Sequence, residues 1–385
     1  MDIVAGNRIT LLKNGPEFFP ALIGAIDAAK LDVRVENYIF EADVTGKSIA
    51  NALKRAAQRG VPVRVMVDGV GCWRTPPSFF DDLSAAGVTL LMFRPIRKWY
   101  IFKRSQLRRM HRKIALIDGK VGFVGGINLI DDLNGSLSDH PRYDYAVKIE
   151  GPVLAAIYPS VHHLWRWAAW RYLRRKDVGD QPIVVDKAPV GDHRAAFVVR
   201  DSVRHRRTIE RMYTRAIIHA QSSVLLVCPY FLPGRYLRRV LIAAAKRGVQ
   251  VTILLQGRAD HPLLQMATRA LYTQLLGAGI AICEYEKSML HGKVAVVDDN
   301  WATVGSSNLD PFSLFLNYEA NVVVLDAGFA RQLRASVMEE IQGGAKTCCA
   351  EDWQKRSRWV RAQSWFAYGI ARWAAAVIGF AKQWE

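Results

Sequence analysis

Acidic residues are scarce in this chain: 35 Asp and Glu stand against 53 Lys and Arg, for a net charge of +18 over 385 residues. That imbalance argues against cationic partners and points to an anionic one: nucleic acid, a membrane surface or a phosphorylated substrate. Cysteine is scarce too. Cys72, Cys228, Cys283, Cys348 and Cys349 form no C-x-x-C pair and no zinc spacing. A disulfide scaffold is therefore not expected, and the odd count reads as reduced thiols in a cytoplasmic compartment. Long apolar runs are missing from residues 1–350, where no stretch reaches the roughly 18 positions a spanning helix needs. The opening segment, MDIVAGNRITLLKNG, lacks a basic stretch followed by an apolar one, so no signal peptide is expected. Low-complexity tracts are absent as well and half the residues are hydrophobic, which excludes a disordered chain. The length fits two ordinary domains with sizeable cores.

What is present is a motif written twice. MHRKIALIDGKVGFVGGIN (110–128) and LHGKVAVVDDNWATVGSSN (290–308) share the pattern H-x-K-x4-D-x6-G-x2-N. His111 falls on His291, Lys113 on Lys293, Asp118 on Asp298 and Asn128 on Asn308. The duplication extends upstream. RGVPVRVMVDG (59–69) parallels RGVQVTILLQG (247–257), and each follows a helical pattern, SIANALKRAAQ or YLRRVLIAAAK. VRVENYIF (33–40) parallels LLVCPYFL (225–232), an apolar strand with a Tyr near its end. Strand, helix, strand and a later strand bearing the histidine is an α/β order, with a helix-capping Gly before the second strand.

The fold class expected is thus α/β: two homologous lobes, 1–178 and 195–348, with one active site at their interface. DVGDQPIVVDKAPVGDHR (177–194) has linker composition, with the linker proper at 179–194, and a tail at 349–385 lies outside the repeat.

His and Lys two residues apart in a β-like run project from one face. Asp118-Gly119 reads as a tight hairpin turn between IALI and VGFV. Taken as a pair, the motifs gather two imidazoles, two ammonium groups and two amides at one point. Lys113, Lys293, Asn128 and Asn308 are donors suited to phosphate oxygens. One neutral histidine can attack phosphorus while the other, protonated, protonates the leaving alkoxide and later takes a proton from the incoming hydroxyl. Such a site needs no metal and no cofactor, because the cations and amide dipoles stabilise the charge. A working histidine has its other ring nitrogen held by a carboxylate. Asp144 in RYDYAVKIEG and Glu319 in NYEANVVVLD are the candidates, 33 and 28 residues after the histidine of their own half. Asp118 and Asp298 suit either a catalytic or a turn role.

This motif resembles the signature of the phospholipase D superfamily, and YIFEADVTG (38–46), CPYFLPG (228–234) and LNYEANVVV (316–324) resemble its bacterial cardiolipin synthase branch. The resemblance covers about residues 8–345. It implies two phospholipase D-like lobes and a phosphohistidine intermediate. It carries catalytic roles onto His111, Lys113, Asp118, His291, Lys293 and Asp298, phosphate binding onto Lys113, Asn128, Lys293 and Asn308, and histidine orientation onto Asp144 and Glu319. His111 becomes the nucleophile and His291 the general acid and base, although a duplicated site also admits the reverse. Longer relatives begin with two membrane spans, which this sequence does not show.

The core chemistry leaves the phosphodiester open, so specificity must be read elsewhere. FRPIRKWYIFKRSQLRRMHRK (93–113) interleaves Trp99, Tyr100 and Phe102 with basic residues, and HHLWRWAAWRYLRR (162–175) does the same with Trp165, Trp167, Trp170 and Tyr172. Such segments fit a membrane interface and also single-stranded nucleic acid, and a third reading places the tryptophans partly in the core. In the tail, Trp359, Gln363, Phe366, Ile370, Trp373, Val377, Phe380 and Trp384 share one helical stripe, opposite Arg358, Arg361 and Arg372 and broken by Trp365. An interfacial helix has that pattern, although the sparsely charged run 362–381 also allows a marginal span, and a C-terminal helix packed on the core is the remaining alternative.

The expectation is a phosphatidyltransferase moving a phosphatidyl group between anionic phospholipids, with phosphatidylglycerol as donor or acceptor. It would work at the cytoplasmic face of a bacterial inner membrane, with no nucleic-acid partner. A nuclease-like phosphodiesterase and a non-catalytic membrane- or nucleic-acid-binding protein are the alternatives. Against the latter stands the survival of both His–Lys pairs.

Overall fold

The computed structural model describes residues 1–95, 107–133, 140–171, 183–201, 204–258, 261–355 and 357–375. Trp99, Tyr100, Phe102, Tyr172, Val377, Phe380 and Trp384 lie outside the described residues, as do positions 179–182 of the expected linker.

The first half contributes β1 (Val4–Lys13), β2 (Val33–Asn37), β3 (Val63–Asp68), β4 (Thr89–Phe93), β5 (Ile114–Ile117), β6 (Val121–Gly125) and β7 (Tyr145–Glu150). The second contributes β8 (His193–Arg200), β9 (Ser223–Val227), β10 (Gln250–Gln256), β11 (Ala281–Tyr285), β12 (Val294–Val297), β13 (Trp301–Gly305) and β14 (Glu319–Leu325). The strand orders are β1-β7-β6-β5-β2-β3-β4 and β8-β14-β13-β12-β9-β10-β11, so the halves share one topology. β15 (Ala345–Cys348) adds to the β11 edge. Antiparallel pairing of β1 with β8 joins everything into one 15-stranded sheet.

Local sequence accounts for these elements. The central strands are runs of Val, Ile and Leu buried on both faces, as strands covered by helices must be. The helices Val44–Gln58 and Arg235–Lys246 return the chain between parallel strands. Both end before a glycine in the left-handed region, Gly60 at φ +85° and Gly248 at φ +93°.

Three of the cores follow from this layering. One lies under the first half, one under the second, and a third is shared. The shared core brings Ile114, Val124 and Val147 together with Val294, Val304 and Val322. It fixes the two halves against each other and therefore fixes the site between them.

Two tryptophans of the Trp/Arg-rich helix Leu154–Arg171 correct the interfacial expectation. Trp165 is buried against Met66, Leu91, Phe93 and Met110, and Trp167 packs on Phe93. Only Trp170 of the three is exposed. Alternation of Trp with Arg on that helix marks a boundary between core and solvent.

The tail is also built into the second half. Trp353 is buried beside Tyr272, with its indole N–H donating to Thr273 Oγ1 at 3.1 Å. The helix Arg358–Ala375 then packs on the helix Pro262–Arg269. Among the described residues no helix is long and apolar enough to cross a membrane.

Candidate active site

His111 and Lys113 lie in the extended segment entering β5, and His291 and Lys293 in the one entering β12. Each segment is stitched to the opposite half. The His111 N–H donates to the Tyr318 carbonyl at 3.0 Å and the Tyr318 N–H to the Arg109 carbonyl at 2.8 Å. Correspondingly, the His291 N–H donates to the Tyr143 carbonyl at 2.8 Å and the Tyr143 N–H to the Met289 carbonyl at 2.9 Å.

The carboxylates cross in the same way. His111 Nδ1 lies 3.0 Å from both oxygens of Glu319, and His291 Nδ1 lies 2.5 Å from Asp144. The sequence had set each carboxylate beside the histidine of its own half. Strand order explains the exchange. Asp144 leads into β7, and β6 separates β7 from β5, a lateral offset of about 10 Å. Across the interface no strand intervenes.

The two pairs differ electrostatically. Burial pushes Glu319 up, but the His111 ring, Lys113 and the Ser306 hydroxyl outweigh it and hold the carboxyl below its usual range. Burial pushes Asp144 up to about 7, against the pull of Lys293 and the Tyr145 N–H. Both histidines are pushed down by burial and by the two lysines, His291 the further.

Lys113 and Lys293 are 3% and 1% exposed and form no ion pair among the described residues. Each ammonium turns back on the carbonyl of its own histidine, Lys113 at 2.8 Å. Burial draws Lys113 down to about 7 and lowers Lys293 as well. Buried ammonium groups without a paired anion are costly, and an incoming anion offsets that cost. Asn128 accepts from the Ile39 N–H at 3.3 Å, which leaves its NH2 to donate, while the buried Asn308 Oδ1 has no partner.

Several neighbours had escaped the sequence reading. The Tyr38 ring stands edge-on to His111 at 4.9 Å, with Lys113 Nζ 5.2 Å from its centroid. The Tyr near the end of each paralleled strand was the available signal, and the second copy, Tyr230, meets His261 edge-on at 5.4 Å. Ser306 donates its hydroxyl to Glu319; the matching position in the first half is Gly126, where a Cβ would sit 2.2 Å from Asp144 Oδ1. Asp68 at the end of β3 accepts from the Met110 N–H and from Arg109, and Gln256 at the end of β10 accepts from the Leu290 N–H. Those strand ends thus hold the residue preceding each histidine.

Asp118 and Asp298 depart from the catalytic expectation. Each sits in a three-residue turn at the far end of its strand, roughly 20 Å along the chain from its histidine. Asp118 accepts from the N–H groups of Lys30, Leu31 and Asp32, and Asp298 from those of Gln221, Ser222 and Ser223. Their φ values of +55° and +47° are left-handed, a conformation Asp tolerates better than most residues. Three donors leave these carboxylates committed to the scaffold.

Known proteins resemble this chain over most of its length. Residues 22–160 and 213–340 match the family described as cardiolipin synthase, PLD-like domain, so each matched segment carries one His–Lys pair. The chain is 37% identical to cardiolipin synthase B of Salmonella typhimurium over 97% of its own length and 90% of that protein's. It is 34% identical to cardiolipin synthase A of Pseudomonas putida, covering 93% of this chain and 73% of the other. Among solved structures, phosphatidylserine synthase of Haemophilus influenzae superposes with a TM-score of 0.72 at 15% identity, over 98% of this chain and 96% of that one, a likeness of fold. Matching the family model in both halves and sharing more than a third of its residues with these relatives, the chain belongs to the cardiolipin synthase family of phospholipase D-like enzymes.

Proposed function

We propose that the chain is a phosphatidyltransferase of cardiolipin synthase type, working through a phosphohistidine. One observation carries the reading: two buried lysines that form no close ion pair among the described residues stand beside two imidazoles, each gripped by a carboxylate. That arrangement suits a phosphodiester anion whose phosphorus is attacked from one side and released from the other.

In the first step the His111 Nε2 lone pair attacks phosphorus, and the bond to the headgroup oxygen breaks. His291 Nε2–H gives its proton to the departing alkoxide. In the second step His291 takes the proton of an incoming glycerol hydroxyl, whose oxygen attacks phosphorus and breaks the P–N bond. Lys113, Lys293 and Asn128 hold the phosphoryl oxygens throughout.

The unequal carboxylates favour this direction. Glu319, kept ionised, holds the His111 proton on Nδ1 and leaves Nε2 free to attack. Asp144 takes a proton readily, so the Asp144–His291 pair can present Nε2–H to a leaving group and reload afterwards.

Relatives named cardiolipin synthase support a phospholipid substrate. In the proposed reaction phosphatidylglycerol is donor and acceptor, with cardiolipin and glycerol as products. The net charge of +18 supports work at an anionic surface, assigned here to the cytoplasmic face of a bacterial inner membrane.

The test is to incubate purified protein with phosphatidylglycerol liposomes and, separately, with DNA. A four-chain lipid and free glycerol are expected, and turnover of DNA alone would sink the reading. His111→Ala should abolish covalent phosphate labelling. Labelling that survives there but disappears in His291→Ala reverses the nucleophile.

A further inference from the structure

The tail helix Arg358–Ala375 is mounted the wrong way round for an ordinary surface helix. Its core-facing side is small and polar: Ser364 and Ala367 are buried, Ala371 packs beside them, and Tyr368 is the one large residue. The Arg372 guanidinium lies on that side too, 5.8 Å from the Tyr368 ring. The opposite side is aromatic. Trp359 is 78% exposed, Phe366 73% and Trp373 68%, at a spacing of seven residues that aligns them on one face. Trp365, which interrupts the stripe in sequence, is 55% exposed and widens this outward face. Every exposed position from 359 to 374 is uncharged. A helix in water buries its large apolar residues and exposes its charges. This one does the reverse.

The helix is coupled to the site beneath it. It packs on the helix Pro262–Arg269, where Gln265 donates to the carbonyls of Gln256 and Gly257. Gln256 in turn holds the N–H of Leu290, next to His291. The first half offers a second aromatic projection at the matching strand end. Asp68 holds the N–H of Met110 beside His111 and accepts from the Cys72 N–H, and the next residue is Trp73, 63% exposed with Arg74 stacked on it at 4.9 Å. Both projections therefore connect to the ends of β3 and β10, which hold the residue preceding each histidine.

We infer that Trp73 on one side and the Trp359–Phe366–Trp373 face on the other form a two-point docking surface for an anionic phospholipid bilayer, seating the active-site mouth on the membrane. Indole rings belong at headgroup depth, and a cationic protein is drawn to that surface before the rings insert. The choice of a bilayer rests on the lipid reading above, whereas the docking geometry does not depend on which reaction follows.

The experiment uses the full chain and vesicles of equimolar phosphatidylglycerol and phosphatidylcholine. The triple variant Trp359→Ala, Phe366→Ala, Trp373→Ala should lose about tenfold or more in vesicle co-sedimentation. Trp73→Ala should lose a smaller amount. Both should melt at the wild-type temperature, because the altered side chains are exposed, and both should turn over a short-chain phosphatidylglycerol monomer at the wild-type rate. Vesicle binding equal to wild type in the triple variant overturns the surface. So does unchanged binding accompanied by a fall from dimer to monomer in sedimentation velocity, which would place a second copy on this face. Stripe-dependent binding by a protein that makes no four-chain lipid supports the docking surface and removes the catalytic reading instead.

Discussion

Glu319 holds the ring of His111 with both carboxylate oxygens at 3.0 Å, although the two residues belong to opposite halves of the chain. The reciprocal contact, Asp144 to His291, is a single one at 2.5 Å. The two halves share a motif and a topology, but their histidines are held differently.

That difference separates the two chemical steps. Glu319→Gln should lower kcat by about 10²–10⁴-fold on every substrate, because it acts on the nucleophile. Asp144→Asn should slow first-step release of an alcohol headgroup and largely spare release of p-nitrophenol, which departs without a proton. Because His291 also serves the second step, the single-turnover burst of leaving group from the two esters, and not the steady-state rate, decides the matter. Equal burst losses on both in Asp144→Asn would remove His291 from the role of acid.

Ser306 is the residue whose hydroxyl helps keep Glu319 ionised. Ser306→Ala should raise the proton affinity of Glu319 and move the acid limb of kcat/KM to higher pH. The converse change, Gly126→Ala, sets a Cβ 2.2 Å from Asp144 Oδ1 and should cost activity through displacement of that carboxyl. A pH profile of Ser306→Ala that overlays wild type would show the hydroxyl to be structural.

Alkaline inactivation should begin early. Lys113 has been drawn down to about 7 by burial, and Asp144 has been raised to about 7 by the same cause. Both lose their useful proton as pH rises through neutrality, so kcat/KM of the free enzyme should fall above pH 7. Lys113→Arg keeps its charge and should push that limb upward at some cost in maximal rate. A limb that stays in place in this variant would leave Asp144 as the titrating group.

The turn aspartates should behave as scaffold. Asp118→Ala and Asp298→Ala each strand three backbone donors, at about 1 kcal/mol apiece, so denaturant unfolding should register a loss of about 2–3 kcal/mol. Catalysis by the folded fraction should persist. For Asp298 the effect has a pH signature. Burial opposes ionisation, but the N–H groups of Ser222, Ser223 and Gln221 prevail and depress its folded pKa below 3.8. Its contribution is thus present above that value and lost as pH falls through the depressed folded pKa. A large kcat defect at full folding would return Asp298 to the site.

The sequence disclosed the duplication, the α/β order and the residues that converge, because identical spacing in two copies is a signal no single position carries. It could not disclose that the carboxylates cross. Distance along the chain favoured Asp144 for His111, and only the intervening β6 strand shows why the near partner is out of reach. Tyr38 and Ser306 were visible as letters but not as contacts, since edge-on stacking and a hydroxyl bond leave no periodicity. Trp165 misled for a related reason. Arg-Trp alternation looks the same on a helix that faces lipid and on one whose tryptophans point inward.

The seam between β1 and β8 also imposes an order of assembly. The carboxylate that aims the nucleophile is residue 319 of 385, so a chain emerging from the ribosome carries His111 long before it carries Glu319. The His111 imidazole has no orienting carboxylate until β14 pairs with β8 and the shared core closes. A copy that ends before β14 therefore leaves the His111 ring without its carboxylate. Competence arrives in one step, at the end of synthesis.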